Sequence, residues 1–234
     1  MKRWLFVALV ALTMAVRAQP YYNDAQLWFN LYLEKRITKH FQVHLNQQDR
    51  WSKNITWFKL GYVDIGGTWK FNSHVKVLLD YVLAENRLNT GMLVSRHQFY
   101  TAVILSQDVW RWKFSYRNML QTQYNSPYTS INGLIPFYHD RNKFVVRYEA
   151  TERFWFYTAE ELYLPLTSTW AKGFDRSRTF LGMFYNVTRS QQFELYFLYQ
   201  AQLRTDNKWF KQKEDSNELL THDFIYGIGY SFTF

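Results

Sequence analysis

The stretch Thr221 to Phe234, THDFIYGIGYSFTF, shows the pattern that decides the fold of this chain. From Phe224 onward every second residue is large and apolar, and the residues between them become Gly, Ser or Thr toward the end. Side chains of a β-strand alternate between the two faces of a sheet, so a period of two predicts a strand with one apolar face. The last of these apolar side chains is the aromatic ring of Phe234.

The same alternation recurs along the chain, and no stretch of comparable length has the period of a helix. We count about eleven such segments. Besides the last one they are Gln26–Arg36, Phe41–Arg50, Trp57–Phe71, Val75–Asn86, Phe99–Gln107, Trp110–Gln123, Lys143–Thr151, Phe154–Leu164, Arg178–Val187 and Gln192–Arg204.

The amino-acid composition favours a membrane barrel over a soluble domain. Aromatic residues make up 21% of the chain, with 10 Trp, 18 Tyr and 20 Phe, while there are only 4 Pro. In membrane barrels Trp and Tyr lie at the two water–lipid interfaces, and Phe covers the lipid-facing surface. We therefore predict an all-β protein, an antiparallel up-and-down transmembrane β-barrel in the outer membrane of a Gram-negative bacterium.

Connection lengths alternate and predict the orientation of the barrel. Short turns alternate with long connections near residues 51–56, 85–96, 124–142, 165–177 and 205–220. Because outer-membrane barrels have short periplasmic turns and long extracellular loops, Phe234 is expected at the periplasmic end. Bacterial single-chain barrels usually have an even number of strands, so we predict about twelve, within a range of 10–12. A further segment within Gln19–Ala25 would supply the missing strand.

The first residues have the features of a secretory signal peptide. A positive head, Met1–Arg3, precedes the apolar run Trp4–Val16, which is shorter than the ~20 residues of a spanning helix. The predicted organisation is a signal peptide at residues 1–18 and a barrel at residues 19–234. The chain has no cysteine, which excludes disulfides, thiolate nucleophiles and cysteine metal sites.

The formal charge of +9 does not indicate nucleic-acid binding, because Lys and Arg are spread singly along the strands and turns. We expect contacts with outer-membrane lipid and lipopolysaccharide phosphates instead. No cofactor is expected. The terminal aromatic residues Tyr230, Phe232 and Phe234 are expected to form the assembly signal that barrel-assembly machinery binds.

Several segments resemble one family of outer-membrane proteins. They are LWFNLYLEKRI (27–37), HFQVHLNQQDRW (40–51), FYTAEELYL (156–164), LYFLYQ (195–200) and GYSFTF (229–234). Together they resemble the Bacteroidota outer-membrane β-barrel family catalogued as domain of unknown function 2490. The resemblance implies a signal peptide, a barrel and an outer-membrane location, but no activity. The positions that match the family pattern are Glu34, Arg117, Arg147, Glu161, Gln200 and Phe234.

Charged residues on the polar faces of the strands predict a charge network in the lumen. An Arg facing lipid at mid-depth would cost about 2–4 kcal/mol, whereas in the lumen it can pair with an acid. The predicted members are Glu34, Asp64, Asp80, Arg117, Arg147, Glu149, Glu161 and Glu194. Their mixed signs favour a side-chain-filled, salt-bridged lumen over a charged constriction, since selective pores more often show rings of one sign.

The sequence favours a non-enzymatic barrel for structure, adhesion or limited solute passage. A barrel enzyme acting on lipid or peptide at the outer rim is an alternative, and it would need His139, Asp140, His222 or Asp223. Adjacent residues of a strand point to opposite faces, so neither His-Asp pair forms a dyad by itself. No set of His and acidic residues has ligand spacing on one strand face, so no metal site is predicted. A third alternative is an accessory barrel of a transport or secretion assembly.

Overall fold

The computed structural model describes residues 22–125, 136–167, 173–202 and 221–234. These residues form a closed β-barrel of eleven strands, which confirms the predicted all-β barrel class. In chain order the strands are β1 Tyr22–Arg36, β2 Phe41–Ser52, β3 Trp57–Lys70, β4 Val75–Arg87, β5 Leu93–Val109, β6 Trp112–Asn125, β7 Phe137–Glu149, β8 Phe154–Pro165, β9 Arg176–Asn186, β10 Gln191–Gln202 and β11 Thr221–Thr233. The predicted signal peptide lies outside the described residues.

The barrel closes through a parallel pair of strands. Each strand pairs antiparallel with the next one along the chain, but β1 and β11 run parallel from Tyr22↔Thr221 to Glu34↔Thr233. The predictions of about twelve strands and of an antiparallel barrel throughout were therefore wrong. The period-two count of eleven was correct, and the preference for an even number led away from it.

A simple rule of geometry explains this difference. When successive strands alternate in direction and their number is odd, the first and last strands point the same way. A parallel ladder still pairs the backbone groups of both strands, so closure leaves no open edge. The residues Tyr22 to Ala25, which were expected to contribute to a twelfth strand, instead lengthen β1.

Side chains alternate between the inner and outer faces as the sequence pattern predicts. The outward positions are mainly large and apolar, and many are strongly exposed, such as Ile65 at 58% and Leu79 at 61%. The turn residue Trp110 is 82% exposed. No helix within the described ranges is long and apolar enough to cross a membrane.

Several strands extend further toward the long connections than the sequence pattern indicates. Strand β5 begins at Leu93 rather than Phe99, and β7 begins at Phe137 rather than Lys143. The β2–β3 connection is a tight turn in which Lys53, Asn54 and Ile55 all have positive φ. This turn binds the start of β1, because the Ile55 amide donates to the Ala25 carbonyl over 3.1 Å. The extended strands bring additional polar side chains into the lumen.

Part of the lumen is filled by an apolar cluster. Its buried members are Trp28, Tyr157, Ala159, Phe180, Leu198 and Ile225, which come from β1 and β8–β11. Gly227 has a steric role beside this cluster, because an added Cβ would lie 1.9 Å from the ring of Tyr196 on the neighbouring strand. The inward-facing glycines of the closing strand therefore make room for large side chains of the neighbouring strand.

Candidate binding site in the barrel lumen

The lumen contains a cavity of about 420 Å³ beside the apolar cluster. This volume lies within the range of roughly 300–1,000 Å³ that is typical of small-molecule sites. Six of the side chains that line it carry guanidinium groups, contributed by five strands. They are Arg50, Arg96, Arg117, Arg141, Arg176 and Arg178.

One carboxylate binds half of these arginines. Glu161 is only 1% exposed, and its Oε1 accepts hydrogen bonds from Arg117 over 2.7 Å and from Arg141 over 2.8 Å. The second oxygen, Oε2, lies 3.7 Å from Arg178 Nη1 and accepts from the Tyr163 hydroxyl. A single buried negative charge thus holds three positive charges in fixed positions, so this group retains an excess of positive charge.

The other three arginines form no ion pair with an acid in the part of the chain that the structure describes. Arg50 donates to Gln48 Oε1 over 2.6 Å, and its guanidinium lies 3.7 Å from the ring centroid of Trp28. Arg176 lies over the ring of Tyr163 at 5.1 Å. Together with Arg96, these side chains lie on the halves of their strands nearer the β2–β3, β4–β5 and β8–β9 connections. Guanidinium groups recognise carboxylates and phosphates through paired hydrogen bonds, so this part of the cavity suits an anion.

The β2–β4 wall of the same cavity is acidic. His44, Asp64 and Asp80 lie on three consecutive strands, and all three are buried. His44 Nε2 is 3.1 Å from Asp80 Oδ1, and the imidazole stacks on the ring of Tyr32 with 5.4 Å between centroids. The cavity therefore has a basic region and a smaller acidic region.

The remaining predicted lumen charges lie apart from these two groups. Glu34 accepts hydrogen bonds from Tyr32 and Gln42, and Glu194 accepts one from Tyr157. Arg147 packs over the ring of Phe184 at 4.7 Å. Glu149 lies across from Trp155 at the short-turn end of its strand. The eight predicted residues thus form several separate local groups rather than one network.

Five of the six cavity arginines were not predicted from the sequence, where only Arg117 was assigned to the lumen. Arg96 and Arg141 were assigned to long connections, since the predicted strands began too late in the chain. Arg141 lies two residues before Lys143 on the same face of β7, so extending the period of two would have identified it. Arg178 stands across from Glu161 in the β8–β9 register, a pairing that a single sequence does not reveal.

The four residues proposed for an enzymatic rim site do not form one site. His139 Nε2 is 3.5 Å from Asp175, whereas Asp140 accepts hydrogen bonds from Asn118 and Asn142 on the outer face. Asp223 accepts from Gln200 over 2.6 Å, and His222 contacts Tyr199. Each residue has a different set of neighbours.

The three residues of the expected assembly signal lie on the outward face of β11. The ring of Tyr230 is 4.9 Å from that of Phe193, and Phe232 contacts Phe234 edge-on at 4.5 Å. Phe234 is 62% exposed, and its backbone bonds to Glu34 and Arg36 on β1. The end of the chain is therefore bonded to β1 through its backbone while its aromatic rings face outward.

The family and the fold follow from comparisons with other proteins. A family model described as "Protein of unknown function (DUF2490)" matches residues 25–211, so the chain belongs to this family. Among solved structures, a NanC porin in a rhombohedral crystal form is similar over 90% of this chain and 99% of its own, with a TM-score of 0.50 and 14% sequence identity. That likeness shows a porin-like barrel fold. No curated protein matches the chain.

Proposed function

We propose that this protein is a non-enzymatic outer-membrane barrel whose lumen binds small anionic solutes and lets them pass. The observation that carries the proposal is the cavity lined by six arginines, three of which have no acidic partner among the described residues. The apolar outward face and the porin-like fold support a location in the outer membrane. Residues 1–18 would direct export, and the aromatic end of β11 would bind the assembly machinery.

Electrostatics give the proposed selectivity a physical basis. Two opposite unit charges about 4 Å apart attract each other by roughly 1 kcal/mol in water and by about 4 kcal/mol at the effective dielectric constant near a protein surface. Glu161 is already bound by Arg117, Arg141 and Arg178, and so it competes weakly for a further cation. An anion entering beside Arg50, Arg96 and Arg176 would therefore be favoured over a cation of the same size.

Solute uptake into liposomes that contain the refolded barrel tests this function. Glucuronate, glucose and glucosamine have similar sizes and differ in charge, so they separate charge selection from sieving by size. We expect glucuronate to enter fastest and glucosamine slowest. Each of Arg50→Gln, Arg96→Gln and Arg176→Gln should slow glucuronate uptake by about 3- to 10-fold, since about 1 kcal/mol is lost with each charge.

The matched control is Arg111→Gln, which removes an exposed arginine on the β5–β6 turn outside the lumen. It should leave glucuronate uptake unchanged. Equal uptake of the three sugars, or an equal effect of the Arg111 and lumen substitutions, would contradict selection by the lumen arginines.

A second candidate function, an accessory barrel in a larger membrane assembly, is favoured by a polar cluster on the outer face. Asn118, Asp140 and Asn142 point outward and bond to one another over 2.6–3.2 Å, and Tyr116 donates to Asn142. An acidic side chain is unfavourable against lipid, so this surface suits contact with another protein.

Crosslinking in native membranes followed by purification tests the second candidate. An assembly would give a defined larger complex, and the substitution Asn118→Leu would weaken it. Recovery of the barrel alone at every crosslinker concentration would count against this role.

A further inference from the structure

A buried group of metal-ligating side chains lies on the β2–β4 wall of the lumen. One donor atom each from His44, Asp64 and Asp80 can be chosen so that all three lie within 4.8 Å of one another. The side chains of His44 and Asp80 are 3% and 5% exposed. The three residues come from consecutive strands and point into the cavity, so an ion there would be held by the rigid wall of the barrel.

The two carboxylates of this group have one ion-pair partner among the described residues, His44, which contacts Asp80. Within the described ranges neither Asp64 nor Asp80 forms an ion pair with Lys or Arg. Among the described residues, Oδ1 of Asp64 and Oδ1 of Asn46, which lies across from it, are buried and accept no hydrogen bond, and the only close partner of Asp80 Oδ1 is His44 Nε2 at 3.1 Å. Two adjacent buried carboxylates with unsatisfied oxygens are unfavourable unless a positive charge lies between them.

The absence of a side chain at Gly66 leaves room for the side chains of His44 and Asp80. Gly66 pairs with His44 on one neighbouring strand and with Asp80 on the other. His44, Gly66 and Asp80 therefore form one row across the sheet. A Cβ at this position would lie 1.7 Å from Asp80 Oδ1 and 2.8 Å from His44 Cε1. The imidazole and the carboxylate meet above Gly66 because no side chain separates them.

We propose that His44, Asp64 and Asp80 bind one divalent transition-metal ion, such as Zn²⁺ or Mn²⁺, with Asn46 Oδ1 beside them as a further oxygen donor. The choice of metal follows from the donor atoms, which are one imidazole nitrogen and carboxylate oxygens. An imidazole nitrogen suits Zn²⁺ better than Ca²⁺ or Mg²⁺, whereas carboxylate oxygens suit all of them.

Distances and charge both fit such an ion. Two ligands of a tetrahedral Zn²⁺ stand about 3.4 Å apart, close to the 3.1 Å between His44 and Asp80. With a neutral imidazole, the two carboxylates carry the two negative charges that a divalent ion cancels.

Metal content and Zn²⁺ titration of the full-length protein test the proposal. The protein is purified in detergent, stripped with a chelator and titrated with Zn²⁺ alone in a calorimeter. We expect about one ion per chain. Asp64→Asn and Asp80→Asn should each weaken binding at least tenfold, because each removes a charged ligand. Neither result depends on whether solutes pass through the lumen, so failure here leaves the proposed function standing.

The matched control is Asp175→Asn, which removes the carboxylate that pairs with a different histidine, His139. No second acid pairs with His139 among the described residues. It should bind Zn²⁺ as tightly as the unaltered protein. No Zn²⁺ binding, or the same affinity in all variants, would show that the group is only a buried His–Asp ion pair and would overturn the proposal.

A spectroscopic measurement needs no variant and so does not depend on the folding of any substituted protein. X-ray absorption at the zinc edge of the loaded wild-type protein should show nitrogen and oxygen ligands with the scattering of one imidazole. A spectrum with water oxygens alone would overturn the proposal.

Discussion

At the scale of single residues, Glu161 holds the basic part of the lumen together. Its carboxylate is almost fully buried and is bound by Arg117 and Arg141, with Arg178 at 3.7 Å. Removal of one partner from a buried ion pair is much more harmful than removal of the whole pair, because the remaining charge is left uncompensated. Here one substitution would leave three guanidinium groups without their carboxylate.

The substitution Glu161→Gln should therefore lower the free energy of unfolding by about 3–5 kcal/mol. Urea unfolding of the refolded barrel in lipid vesicles measures this change. The control is Asp108→Asn, which breaks an exposed pair with Lys113 and should cost no more than about 1 kcal/mol. Equal losses for the two variants would contradict a structural role for Glu161.

At the scale of strands, the parallel pair of β1 and β11 sets the architecture. The pair spans thirteen residue positions, from Tyr22↔Thr221 to Glu34↔Thr233, and the chain end adds backbone bonds from Phe234 to Glu34. Because Gly227 and Gly229 have no side chains, this last strand can lie beneath the inward-pointing ring of Tyr196 and the side chain of Glu194. The alternating stretch Thr221–Phe234 thus forms the strand that closes the barrel.

A disulfide tests the closure directly, because the chain has no native cysteine. Phe29 and Ile228 face each other in the parallel register, so the double variant Phe29→Cys with Ile228→Cys should crosslink under mild oxidation. The pair Phe29→Cys with Tyr230→Cys is the control. It is offset by two residues, beyond the ~7 Å limit for a disulfide, and should remain reduced. Crosslinking of the control alone, or of neither pair, would contradict the parallel closure.

At the scale of the whole molecule, the sequence predicts local features better than features that depend on distant strands. Alternation assigns Asp64, Arg117 and Glu161 to the inner face because the direction of a side chain depends only on its position along one strand. The pattern gave eleven segments, but the parallel closure was missed because it depends on how the first and last strands meet. The group of His44, Asp64 and Asp80 was missed for the same reason, since its members come together only through the register of three strands.

The boundaries of the strands explain the other missed residues. Arg96 and Arg141 lie where polar residues become frequent and the apolar alternation weakens, so those positions were taken as parts of loops. In the folded barrel these polar residues belong to the first part of β5 and of β7, and Arg96 and Arg141 line the cavity. The basic character of the lumen therefore became visible only when the ends of the strands were known.

The most direct test of an anion-selective lumen is the reversal potential of the refolded barrel in a planar bilayer under a gradient of KCl. Because K⁺ and Cl⁻ have nearly equal mobilities in water, the sign of this potential reports the selectivity of the pore. We predict discrete conductance steps with a reversal potential on the side that indicates preferred passage of Cl⁻. A potential indicating K⁺ preference, or a barrel that never conducts, would contradict the account.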